Sequence, residues 1–438
     1  MIHPNRIFYG WWLAIASFGV LFYTAGVFFY GFAPFFAEII DEFGWPTAVA
    51  SIAFAFQRTE QGIFGPIVGY VVDRFGPRKS VLGGMFILGC GFIGLSYVQE
   101  LWHFFAAFAV MAFGLAFGSF LTVNTAVNAW FIRRRGTAMA IVSYGAGVSA
   151  LLVPLVVGLI ALFAWRDALF YLGITTFVVG LPLGLMMRDA PEKYGLHPDG
   201  MSEAEAARYA EMDGDDRYAD TTFTVKEAIR TAAYWKYVVA NIFGFIFFGS
   251  FIIHQFKVWD EFGFSDEWAT ALITLLPLAS FPARILGGIL ADMYDKRKIV
   301  SISFTMQIIG AVFFFFARDP ITAVIFAVFF GFGFGLGNPP RSALLGELFG
   351  RQIYGRLLGL QFTFTAIGGV FAPIFAGFMF DQYGAEGYRW AFFSLGLMAI
   401  ISLYMYMTMK RPELPARLRR TYVESGTSAE TGTGERAS

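Results

Sequence analysis

The stretch Ser280 to Lys298, SFPARILGGILADMYDKRK, begins in an apolar run and ends in a basic cluster. One charge, Arg284, lies deep inside it. Eight residues later comes Asp292, and then Asp295-Lys296-Arg297-Lys298. At 1.5 Å per residue, Arg284 lies roughly 12 Å along a helix from Asp292. A hydrocarbon core is about 30 Å thick, so an Asp292 at the membrane surface puts Arg284 near the midplane. A permanent cation there costs at least about 2.5 to 3.5 kcal/mol, and it must face a polar cavity or a partner. Pro282 removes a backbone donor beside it and invites a kink. A second polar set, Gln57, Arg58, Glu60 and Gln61, interrupts another apolar run. Arg58 stands 15 residues before Asp73, roughly 22 Å of helix, which carries it past the midplane. Arg58 and Glu60 point about 200° apart on a helix, so each needs its own partner. Two readings stay open: ion pairs that fix a helix bundle, or an anion ligand or gate at Arg58 with a proton carrier at Glu60. His254, beside Gln255 and Lys257, is either an exposed residue at an outer helix end or a site of proton coupling.

Such side chains need membrane-spanning helices to hold them. Of 438 residues, 57% are hydrophobic and only 15% charged, well away from soluble usage. Apolar stretches predict twelve helices, near 9–33, 47–70, 80–98, 102–130, 137–162, 166–187, 235–257, 267–291, 298–316, 321–347, 356–380 and 388–408. The expected fold class is an all-α membrane protein with twelve transmembrane helices in two pseudo-symmetric six-helix bundles. The first bundle would occupy 1–187 and the second 235–410. Between them, 188–234 reads as a cytoplasmic linker with a short surface helix from Ser202 to Met212. The end, 411–438, is rich in Ser, Thr, Gly and Glu and reads as a disordered cytoplasmic tail. Phe8 to Phe32 is too long for a signal-peptide core and reads as a retained helix.

Charge sets the expected orientation. With both termini in the cytoplasm, 26 Lys/Arg fall on that side and four outside (Arg166, Lys257, Arg318, Arg389). Arg58 and Arg284 lie inside helices, and the reverse topology would break the positive-inside pattern. A repeat runs through this layout. Asp73 and Asp292 are 219 residues apart, as are Gly114 and Gly333, and Gly118 and Gly337. Arg135 maps onto Arg356 with a shift of 221, and WRDALFYLG (165–173) onto YRWAFFSLG (388–396) with a shift of 223. Duplicated halves place a substrate site between them, near the midplane. The lone Cys90 excludes an internal disulfide and a cysteine metal cluster. Four scattered histidines and the absence of a nucleotide loop or hydrolytic triad argue against an enzyme, a resident metal, a cofactor or a nucleic-acid partner.

The loop after the second helix reads GYVVDRFGPRK, Gly69 to Lys79. It resembles the cytoplasmic loop signature of the major facilitator superfamily, carried here by Gly69, Asp73, Arg74, Gly76 and Arg78. Its physical reading is a latch: Asp73 at a helix end accepts hydrogen bonds from an arginine or a facing helix terminus. Asp292 is the second copy, degraded where Asp295 stands near the place of Gly76. WFIRRRGTAMAIVSYGAGVS, Trp130 to Ser149, is similar to the helix 4–5 signature of the monocarboxylate transporter group. FYGWWLAIASF, Phe8 to Phe18, resembles the same group's first-helix entry, and Gly145 and Gly147 would let helices approach closely.

This resemblance implies a role for Arg284, which matches an arginine that binds substrate carboxylate in the monocarboxylate and oxalate/formate transporters. A guanidinium suits that role because its planar fork pairs bidentately with carboxylate and keeps its proton. The chain also departs from the group. Ser280 stands where an acid precedes the arginine by one turn, and no lysine stands on the first or eleventh helix at the expected places. One deep cation in the second half favours a monoanion over a dianion. The implied function is secondary active transport of a small organic monoanion such as lactate or pyruvate with a proton, by alternating access. Anion exchange without net proton coupling, or a non-transporting receptor of the same fold, are the alternatives. Tyr23, Tyr30, Asn124, Tyr144 and Gln361, with Asn338 and Thr363, are the polar groups expected around the cavity. The expected partners are the organic anion, protons and the lipid bilayer, and the expected place is a plasma membrane, as in a bacterial inner membrane.

Overall fold

The computed structural model describes residues 7–45, 52–211, 223–413 and 415, with the side chains of 52–61 and 209–211 outside that description. Among the described residues there are helices and no strands, and nine of the helices have the length and hydropathy to cross a membrane. Two of the nine, Arg135–Met186 and Tyr354–Met407, are 52 and 54 residues long, and each is a hairpin. Ala164 (φ 56, ψ 165) and Gly384 (φ 59, ψ −140) break them. Counting each hairpin as two helices and adding Ile52–Phe75 makes twelve spans. They are α1 (Tyr9–Phe43), α2 (Ile52–Phe75), α3 (Pro77–Ser96), α4 (Leu101–Trp130), α5 (135–163) and α6 (165–186) in the first half. The second half holds α7 (Ala232–Glu261), α8 (Asp266–Met293), α9 (Lys296–Phe315), α10 (Pro320–Phe349), α11 (354–383) and α12 (385–407).

Local chemistry sets most boundaries. Thr231 and Asp319 accept backbone N–H bonds from the first turns of α7 and α10, which supplies donors that a helix start leaves orphaned. α1 runs to Phe43 where the sequence suggested 33, passing through a π-turn over Ala25–Tyr30 and stopping at Gly44 (φ 63). The expected linker helix is present as Glu203–Glu211. The tail from 416 on lies outside the described residues.

The repeat has a structural cause that the sequence shifts only partly report. Asp73, at the end of α2, accepts from the backbone N–H of Gly355 (3.1 Å) and Arg356 (3.0 Å) at the start of α11. Asp292, at the end of α8, accepts from the N–H of Gly136 (2.6 Å) and Thr137 (2.9 Å) at the start of α5. Gly136 and Gly355, and Thr137 and Arg356, are each 219 apart, the same spacing as the two aspartates. The 221 match of Arg135 to Arg356 is therefore out of register: the partner of Arg356 is Thr137. Far from this end, Arg166 donates to Ser96 O and Val98 O, and Arg389 to Phe315 O and Ala317 O. Each arginine ties the hairpin turn of its half to the carbonyls that end the third helix of that half. That explains why WRD and YRW recur.

The halves meet along α2–α11 and α5–α8. Gly69 and Gly65 abut the backbone of Gly355 and Gly359, so a side chain at any of them would collide with the facing helix. At the basic end one apolar core runs through both halves, with Val68, Trp130, Tyr234, Phe349 and Tyr354 all buried in it. At the other end of the second half a separate core forms around Phe247, Trp259 and Phe314. The molecule is sealed at the end that carries Asp73 and Asp292.

Candidate functional site

α8 and α10 run side by side and in the same direction. Gly331 lies on the backbone of Leu276 and Gly335 on that of Ser280. Farther along, Gly287 lies on the backbone of Leu336, so Arg284 stands between the levels of Gly333 and Pro339. α8 continues as one helix through Pro277 and Pro282. Arg284 lies on the α5 side, where its Nη1 donates to Ser143 O at 2.5 Å and its buried Nε has no partner among the described residues. Gly147 makes room for it, because a Cβ there would sit 2.9 Å from Nη1. Phe281 packs edge-on against Tyr144, ring centroids 5.8 Å apart. Tyr30 ends the π-turn of α1, and its side chain is exposed.

A second buried arginine, Arg341, lies on α10. Loop charge alone assigns it to the cytoplasmic side, but it is buried inside α10 at 4% exposure. Pro339 and Pro340 precede it and bring no N–H, so the carbonyls of Gly335 and Leu336 lose their helical donors. The Nε of Arg341 donates to Gly337 O at 3.1 Å, and its Nη1 has no partner among the described residues. Rings of Phe245, Phe304 and Phe334 surround the guanidinium at 5.5, 5.7 and 5.8 Å. It lines a cavity of about 250 Å³ between the halves, with Gly62 and Phe120 from the first half and Asn241, Asn338, Gln361 and Phe362 from the second. No acidic side chain is among the described residues that line it. The signal for this residue was present in NPPR, a charge within the apolar run of the tenth helix. The predicted helix 321–347 already contains it, and only the charge count assigns it to the cytoplasmic side.

The other expected residues separate into groups. Gln361 and Asn338 line the cavity, and the amide of Gln361 donates to Thr365 Oγ1 at 2.6 Å. Thr363 donates to Gly62 O across the halves at 2.6 Å. Tyr23 does not join them: its hydroxyl bonds Leu172 O, Thr175 and Thr176, which ties α1 to α6 within one half. Asn124 is buried and donates to Phe120 O on its own helix. His254 is not an exposed outer residue. It is half-buried, with Nδ1 3.1 Å from Tyr388 Oη and Nε2 3.2 Å from Pro373 O, a bridge between α7, α11 and α12. The side chains of Arg58 and Glu60 lie outside the described residues.

At the sealed end, Asp73 also accepts from Arg356 Nε at 2.9 Å. Arg74 donates to Tyr70 of its own helix and is exposed, as is Arg78. Gly76 (φ 89) lies against Asp189, where a side chain would collide. The cross-half cation at this latch is therefore Arg356, which the loop signature does not contain.

Residues 14–282 and 238–429 match the profile of the Major Facilitator Superfamily. The chain belongs to this superfamily. Its facilitator-type relatives include a glycerol-3-phosphate transporter of Bacillus subtilis (strain 168), 26% identical over 393 residues, covering 85% of each chain. Monocarboxylate transporter 13 of Bos taurus is 26% identical over 395 residues, covering 86% of this chain and 84% of that one. Monocarboxylate transporter 1 of Rattus norvegicus is 24% identical over 399 residues, covering 86% and 79%. Among solved structures, the proton:xylose symporter XylE superposes with a TM-score of 0.71 at 15% identity, covering 92% and 96% of the two chains. The human organic anion transporter MFSD10 gives 0.66 at 12%, covering 90% and 97%. These establish a major facilitator fold, an integral membrane setting and a transporter role for a small molecule.

Proposed function

We propose that this facilitator is a secondary active transporter of small organic anions, with monocarboxylates such as lactate or pyruvate the first substrates to test. It moves them with a proton by alternating access between six-helix bundles at 1–187 and 235–410. The observation that carries the reading is Arg284, a permanent cation in a spanning helix whose buried Nε has no partner among the described residues. Monocarboxylate transporters among the relatives support it. Asp73 and Asp292 hold the sealed end closed, and the basic loops support a cytoplasmic position for that end. Glu60 is the proton carrier to examine first. A second reading, anion exchange without net proton coupling, has its own support. Ser280, one turn before Arg284, is buried and its hydroxyl donates to Pro277 O, so no acid stands there to carry a proton.

Uptake of labelled lactate and pyruvate into proteoliposomes with an imposed proton gradient tests both. Gradient-driven uptake by the native chain is expected, with at least about a tenfold loss in Arg284→Lys, which keeps the charge but not the fork. Uptake that ignores the gradient but needs internal anion would replace symport with exchange. Equal uptake by native and Arg284→Lys would sink the carboxylate role of Arg284.

A further inference from the structure

We propose that the cavity on α10 is an anion site in its own right, where Arg341 takes the carboxylate of a monoanion with a flat apolar body, such as an aromatic acid. It shares with the function proposed above the premise of an organic anion, and not the role of Arg284. The described lining comes from α2, α4, α7, α10 and α11, with no residue of α5 or α8. Arg284 therefore stands apart from it, at the other seam between the halves.

Arg341 is the group that the protein leaves unfinished here. It is buried at 4% exposure, and of its three guanidinium nitrogens only Nε has an acceptor among the described residues. Phe245, Phe304 and Phe334 stand within cation–π range of it and keep its surroundings dry. A buried cation with unused donors is costly unless something accepts from them. The described lining contains no carboxylate. A ligand carboxylate supplies the missing acceptor, through charge-assisted bonds that are stronger than neutral ones.

The rest of the lining selects the body of the ligand. Tyr237 donates to Arg341 O, Ser342 to Asn338 O and Thr365 to Gln361 O. Asn241 donates to Tyr237 O and Tyr406 Oη, and Gln361 to Thr365 Oγ1. A second polar group on the ligand, such as the hydroxyl of lactate, meets donors already spent within the protein and loses its own water. The apolar wall is aromatic. Phe120 and Phe362 meet edge-on across the halves, ring centroids 5.9 Å apart, and Phe245 adds a third ring. Such rings favour a flat partner that can stack or meet them edge-on. A volume of about 250 Å³ is below the range of drug-sized pockets and suits one ring with its carboxylate.

Equilibrium binding of radiolabelled benzoate and lactate to the purified full chain at neutral pH tests this, with unlabelled benzamide as a neutral competitor. The native chain is expected to bind benzoate at least about tenfold more tightly than lactate. Benzamide keeps the ring without the charge and should not displace benzoate. Arg341→Gln should weaken benzoate at least about tenfold, and Arg341→Lys, which keeps the charge but not the fork, should fall between. Phe362→Leu should weaken benzoate several-fold and leave lactate unchanged, which serves if the Arg341 variants do not fold. Displacement by benzamide, or unchanged benzoate binding in Arg341→Gln, overturns the site. That is the result expected if Glu60, two residues before the cavity-lining Gly62, already neutralises Arg341. A native chain that binds lactate but not benzoate overturns the site and leaves the anion reading of Arg284 standing. One that binds neither overturns both.

Discussion

Arg284 and His254 were both candidates for chemistry, and the structure gives them opposite surroundings. Arg284 spends one donor on Ser143 O, and its Nε has no partner among the described residues. His254 has both ring nitrogens engaged, by Tyr388 and Pro373 O. With a carbonyl at Nε2, that nitrogen carries the proton and Nδ1 accepts from the tyrosine hydroxyl. His254→Ala should cost about 1 to 3 kcal/mol by leaving these partners unpaired. Thermal unfolding should show the loss, and the pH profile of uptake should not move; a moved profile would return His254 to proton coupling. Arg284 was legible because a single charge in an apolar run has no local explanation. Arg341 carries the same signal inside the predicted helix 321–347, where a count of loop charges takes it for a cytoplasmic residue. Tyr23 and Asn124 were placed at the cavity on polarity alone. A tyrosine or asparagine can satisfy itself on a neighbouring helix or its own, and only the packing decides which.

At the scale of elements, the sealed end is made of two reciprocal helix caps. The end of α2 holds the start of α11 through Asp73, and the end of α8 holds the start of α5 through Asp292. A carboxylate at a helix N-terminus satisfies orphan donors and meets a favourable dipole. Asp73→Asn or Asp292→Asn should each weaken closure by about 1 kcal/mol, and the pair by more. Spin labels at Lys79 and Lys298, both exposed and in different halves, should report a longer distance in the variants. An unchanged distance distribution would mean that the glycine-mediated contacts of α2 on α11 suffice alone. The loop signature made Asp73 legible. It could not reveal that Arg356 is the cross-half cation, because that residue lies 283 positions away.

For the whole molecule, twelve apolar stretches anticipated twelve spans, since a bilayer demands long apolar helices whatever their tertiary contacts. Which end is closed was not legible, because either closure uses the same spans. Orientation remains a matter of loop charge, and reporter fusions check it: fluorescent-protein fusions after Ala190 and Lys410 should both light up, and alkaline phosphatase after Asp319 should be active. Activity in the reverse pattern would place the latch end outside. The reciprocal caps also bear on where the energy of opening comes from. In the sealed form, two carboxylates and the amides of Gly136, Thr137, Gly355 and Arg356 satisfy one another. Parting the halves hands all of them to water. Opening at this end is therefore a hydration step, in which solvent takes over hydrogen bonds that the protein relinquishes, and the balance between the two states depends on how available that water is.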